Sequence, residues 1–190
     1  MPLWGATDSD ESKPKHLTTA QKKEVFANAS GWVVEAGSTQ SGNGNTSADP
    51  EILVAIGGLA SSIGAADITE IEFITTAFDK SDGGTLQVRV RFNEAVDVSG
   101  TPQLTVVNDT NSNHTLSYAS GTGTNELIFN LAIAANNNAT NANDVLSIGA
   151  QNILKPGGAT IKDAAGTASD SAVAISGAQG TAAGTLTVTA

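Results

Sequence analysis

Eight residues, TLQVRVRF at 85–92, constrain this chain more than any other stretch. Leu86, Val88, Val90 and Phe92 fall on one side of an extended backbone, and Gln87, Arg89 and Arg91 on the other, because successive strand side chains point to opposite faces. A helix cannot satisfy a period of two. The segment is therefore predicted as a strand with one face in a core and the other toward water. The same spacing returns in QLTVVN through Leu104 and Val106, and in ELIFNLAI through Leu127, Phe129, Leu131 and Ile133.

Turn chemistry separates these strands. SGTP at 99–102 reads as the turn of a hairpin, and SGTGTN at 120–125 as a turn. DKSDGG at 79–84 reads as a further hairpin connection. Two polar loops, NDTNSNH at 108–114 and AANNNATNAND at 134–144, interrupt the pattern. Beyond them VLSIGA, NILK, ATIKD, AVAIS and TLTVTA are short strand candidates, and Pro156-Gly157-Gly158 marks a turn. ITEIEFIT alternates less cleanly, with Ile68, Ile71 or Glu72, and Phe73 competing for the inward face. Many short strands at close spacing predict an all-β domain, an antiparallel sandwich, over residues 67–190.

Residues 1–66 read differently, as an extended N-terminal arm with little regular structure. Thr18 with Gln21 three residues on forms a capping-box pattern that favours a short helix. KKEVFANASGWVVEA equally suits two short extended pieces, and both readings stand. PEILVAIGGLA, centred on Ile52, Val54 and Ile56, suits a buried strand or one turn of buried helix.

Composition narrows the function classes. Charged residues make up 15% of the chain, against roughly 25% in ordinary soluble domains. The net charge of −10 and only nine Lys and Arg argue against nucleic acid and anionic membrane surfaces as partners. No run approaches the roughly 20 apolar residues of a membrane span, and Met1 to Leu17 lacks the order of a secretory signal. Synthesis in a cytoplasm is the expectation. With no cysteine, thiol nucleophiles, thiolate metal sites and disulfides are all excluded.

Nothing in the sequence spells out a catalytic constellation. His16 and His114 read as solvated loop histidines, outside any nucleophile-elbow or zinc-binding helix pattern. DKSDGG lacks the bidentate Glu of a calcium loop, and Asp163 in IKDAAG has the same status. Glu94 and Asp97 could suggest paired carboxylates for glycoside chemistry, but no aromatic platform lies near them in sequence. GTGTNE lacks the Lys of a phosphate loop. The Asn-x-Ser/Thr triplets at Asn28, Asn45, Asn108, Asn113 and Asn138 are what an Asn- and Thr-rich chain produces by chance. The expectation is a protein without enzymatic activity, cofactor or metal.

Two stretches carry resemblances. VRVRFNEAVDVSGTPQLTV, LSYASGTGTNELIFNLAI and VLSIGAQNILKPGGATIKDAAGTAS resemble the immunoglobulin-like repeats of large bacterial surface proteins, over roughly residues 71–175. Asn93 stands where those repeats usually carry Ser, and the 134–144 loop is richer in Asn. The resemblance implies an Ig-like sandwich and a habit of surface display. MPLWGATDSDESKPKHL, with GWVVEAGS and PEILVAIGGL, is similar to the opening of virion structural proteins from tailed phages of marine bacteria.

Together the resemblances imply a virion-anchoring base that carries a displayed domain, located on the outer capsid surface. The implied partner is the major capsid protein or another virion protein. A homo-oligomer and weak contact with host surface or glycan stay open. Leu3, Trp4, Lys13, Lys15, Phe26, Trp32, Val34, Ile52 and Val54 are the candidate partner-contact residues. Trp4 and Trp32 lead because large rigid aromatics in an unstructured arm suit interface pockets. The alternative is that they pack under their own domain.

Overall fold

The computed structural model describes residues 13, 14, 16–165 and 170–190. The all-β expectation holds. Among the described residues fourteen strands and two short α-helices follow one another: α1 (Thr19–Lys23), β1 (Val25–Asn28), β2 (Gly31–Val34), β3 (Glu51–Ala55), β4 (Ile68–Phe73), β5 (Phe78–Asp79), β6 (Gly84–Ser99) and β7 (Gln103–Asn108). Then come β8 (His114–Ser120), β9 (Thr124–Ile133), β10 (Val145–Ser147), β11 (Gln151–Asn152), β12 (Thr160–Asp163), β13 (Ala174–Ile175), α2 (Gly177–Ala182) and β14 (Thr185–Thr189).

β6 is the spine, because its length lets it pair with four neighbours. It runs antiparallel to β4, β9 and β12 and makes one parallel pairing to β1, Ala27 opposite Glu94. The main path is β3-β2-β1-β6-β9-β8-β7-β10-β14-β5. Leu86, Val88, Val90 and Phe92 are all buried, with Leu104, Val106, Leu116, Leu127, Phe129, Leu146 and Ile161 in the same core. Period-two spacing thus identified the inward face of β6, β7 and β9.

Two connections differ from expectation. β6 and β7 are not hydrogen-bonded to each other; β9 and β8 lie between them, so SGTP is a crossover and not a hairpin turn. Likewise β5 pairs with β14, so DKSDGG joins strands that are not neighbours. SGTGTN does close a hairpin, with Thr124 N donating to Gly121 O at 3.0 Å between the paired β8 and β9.

The first 66 residues are not a loose arm where they are described. Thr18 caps α1 with the reciprocal Gln21 bonds of a capping box, and Asn28 Oδ1 accepts from Ser30 N and Gly31 N to turn β1 into β2. Both readings of 18–35 are therefore realised in succession. β3 adds to β2, giving a three-stranded meander over a second core of Val25, Ala27, Trp32, Val34, Leu59, Ala60 and Ile63. Gly31, at φ +138°, is required here: a Cβ would lie 2.0 Å from Val54 O of β3.

Candidate functional site

Two features of the meander stand out, a charged cleft beneath it and an open edge beside it. The cleft, about 520 Å³, lies between the 35–50 loop and the outer face of β6 and β9. The alternation that buries Val88 and Val90 turns Arg89 and Arg91 outward, but not to open water as expected. Arg91 Nη1 lies 2.8 Å from Glu70 Oε2, Nε 2.5 Å from Glu126 Oε1 and Nη2 3.5 Å from Glu35 Oε2. Arg89 Nε donates to Glu72 Oε1 at 2.6 Å, and its Nη1 lies 3.3 Å from Glu126 Oε1. Lys23, at the end of α1, pairs with Glu70.

The charges tune one another. Burial opposes the Arg91 charge, but the carboxylates of Glu35 and Glu126 outweigh it and hold its pKa above the ordinary guanidinium value. Burial likewise works against ionised Glu70, yet hydrogen bonds from Lys23 and Arg91 hold its pKa low. For Glu35 burial wins and the pKa is raised, with Arg91 opposing. Asn125 Nδ2 donates to Glu35 Oε1 at 2.6 Å, and Glu24 accepts from the backbone N–H of Thr39 and Gln40. Each carboxylate lining the cleft has its donors. Its chemistry is that of a cross-link between meander and main sheet.

A second polar cluster pins the Asn-rich loop. Asp144 accepts from Asn108 Nδ2 at 2.7 Å, from Asn141 N at 2.8 Å and from the Thr110 hydroxyl. Burial opposes its charge, and these donors reverse the effect and lower its pKa. His114 is not the solvated loop residue expected: it is buried at the start of β8, with Nε2 3.4 Å from Thr140 Oγ1, and burial lowers its pKa against the pull of Asp144. His16 is exposed. Glu94 is fully buried while Asp97 is exposed, so the two do not face a common cleft. Asp163 is buried, accepts from Ala165 N at 2.6 Å and has its pKa raised by that burial. Among the described residues no three His, Asp or Glu side chains are placed to hold a metal ion.

The candidate contact residues divide. Leu3, Trp4 and Lys15 lie outside the described residues. Trp32 and Val34 are fully enclosed in the second core and Phe26 is 9% exposed, so burial corrects their assignment as partner anchors. The alternative, packing inside the chain's own fold, holds for Trp32, whose indole N–H finds no acceptor among the described residues. Lys13 is also buried, donating from Nζ to Lys22 O at 2.9 Å, and is not available as a surface contact.

Ile52 is the reverse case. It was expected to be buried, yet it is 56% exposed, and Leu53 beside it is 38% exposed. A bulge explains this: the β2 pairing slips between Trp32 opposite Val54 and Val33 opposite Ile52, leaving Leu53 as the extra residue. Val54 packs partly against the second core. Leu53 was missed because a bulge leaves no mark in a continuous apolar run. Comparisons of the chain with models of protein families, with curated proteins and with solved structures give no match.

Proposed function

We propose that this chain is a structural virion protein of a tailed phage, a capsid decoration or cement protein. Its N-terminal unit binds the major capsid protein, and residues 67–190 project outward as an Ig-like sandwich. The observation that carries this reading is the exposed Ile52–Leu53 pair on the terminal strand of the meander, in the N-terminal part of the chain that resembles virion proteins. Apolar pairs held in solvent on an edge strand favour a partner that covers them.

Stabilisation follows from mass action. A protein that binds the assembled shell and not its dissociated subunits lowers the free energy of the shell by an amount that grows with its concentration over Kd. Many copies on one lattice add their separate contributions, so each contact need only be modest. The outward domain needs no chemistry of its own for this role.

Quantitative mass spectrometry of purified particles, measured against the major capsid protein, tests the reading. Copy numbers near that of the shell subunit support decoration. A handful of copies per particle would overturn it and favour a neck, tail or fibre-associated protein that contacts the host surface.

A further inference from the structure

We infer that the outer edge of β3 accepts an extended segment of a partner protein as an added strand, and that this segment carries Lys or Arg beside apolar side chains. The virion reading supplies only the identity of that partner; the chemistry of the edge stands apart from it.

An unpaired strand edge is a row of free N–H and C=O groups, and folds usually cover such rows. Three other edges of this fold, those of β4, β7 and β12, carry such cover. Gln179 Nε2 of α2 donates to Ile68 O on β4 at 2.7 Å. On β7, Gln103 and Leu154 exchange backbone bonds of 2.8 Å, and the Gln151 side-chain amide mimics a strand by accepting from Thr105 N at 2.9 Å and donating to Thr105 O at 2.7 Å. β12 is covered where Ser171 N donates to Ile161 O at 3.1 Å and Lys162 bridges to Asp170. β3 ends the sheet with five residues, and among the described residues only β2 pairs with it.

Charge selects the occupant. From Glu24 to Asp79 the sequence holds eight Asp and Glu and no Lys, Arg or His. Glu35, Glu70 and Glu72 are neutralised by Lys23, Arg89 and Arg91. Asp49 and Glu51, both exposed at the entry to β3, make no ion pair among the described residues. A second copy of the chain would bring the same acids and a net charge of −10 to the contact, so like charges would meet. A cationic strand meets complementary charge and covers Ile52 and Leu53. The bulge at Leu53 twists the edge away from indiscriminate pairing and leaves selectivity to those side chains.

The test uses the full chain and a peptide probe, Lys-Val-Lys-Val-Lys-Val-Lys, read by hydrogen exchange of the β3 amides and by titration. Slowed exchange confined to β2 and β3 is expected. Binding should weaken about tenfold or more in the double variant Ile52→Lys/Leu53→Lys. It should also weaken with added salt, with Glu replacing Lys in the peptide, and with the peptide N-methylated at alternate residues. Both substituted side chains are exposed, so an unchanged thermal midpoint verifies the fold. Unaltered β3 exchange, equal binding by the N-methylated peptide, or β3 protection from a concentration-dependent dimer without peptide would each overturn the inference. Protection of β3 in a protein present at a handful of copies per particle would leave the edge standing and sink the decoration reading. The converse pair of results would do the opposite.

Discussion

Arg91 gathers four carboxylates, Glu35, Glu70, Glu72 and Glu126, onto one guanidinium, and only 12% of its side chain is exposed. Arg91→Met should therefore cost about 3 kcal/mol in urea unfolding, because Glu35, Glu70 and Glu126 would stay enclosed with fewer cations. Acid acts on the same residues. Glu70 and Asp144 are held below their ordinary values, so each contributes stability that is complete above its unfolded pKa, roughly 4.3 and 3.9, and is lost as pH falls through the lower folded value. Glu35, raised by burial, has the opposite sign and gains stability as it takes up a proton. The thermal midpoint should fall between about pH 4.5 and pH 3, and Glu70→Gln should make that fall shallower. An equal slope in the variant would remove Glu70 from the account. The sequence showed that Arg89 and Arg91 share a face but not what meets it, since Glu35, Glu72 and Glu126 are far apart in the chain.

At the scale of elements, hairpin β8–β9 tests how turn glycines work. Gly121 lies at φ +114°, and a Cβ there would sit 1.9 Å from Glu126 O; Gly123, at φ +79°, would meet nothing within 4 Å. Gly123→Ala should cost only the left-handed conformation, about 1 kcal/mol. Gly121→Ala should cost at least twice that, because backbone must move; equal losses in denaturant midpoint would contradict the geometry. Strands β6, β7 and β9 were legible because their alternation is local. Their partners were not: a Gly-Thr-Pro turn serves a crossover as well as a hairpin, and the choice lies with distant strands. Helix α2 went unread, although Ser176 and Gln179 form the same capping box as Thr18 and Gln21, because GAQGTA offers little helix propensity.

Across the whole molecule, two cores share one sheet. The larger lies under β6 to β9, and the smaller is built on Trp32. The first part was expected to be an arm because four-residue strands such as VFAN and GWVV are too short to show a period. Among the described residues the contacts that join the parts include the single parallel pairing of Ala27 with Glu94, the Glu35 bonds to Arg91 and Asn125, Lys23 on Glu70, and Ala165 packed on the smaller core. Distinct cores of this kind open as separate units. Removing the indole deletes the largest side chain of the smaller core, a loss of about 3–5 kcal/mol for Trp→Ala, and that loss falls on the meander. Trp32→Ala should therefore speed amide exchange across residues 25–63 while β6 and β9 keep their protection. If β6 and β9 instead lose protection in step with β1 and β2, the chain unfolds as one unit, and the ion-paired cleft couples the two cores more strongly than its few bonds imply.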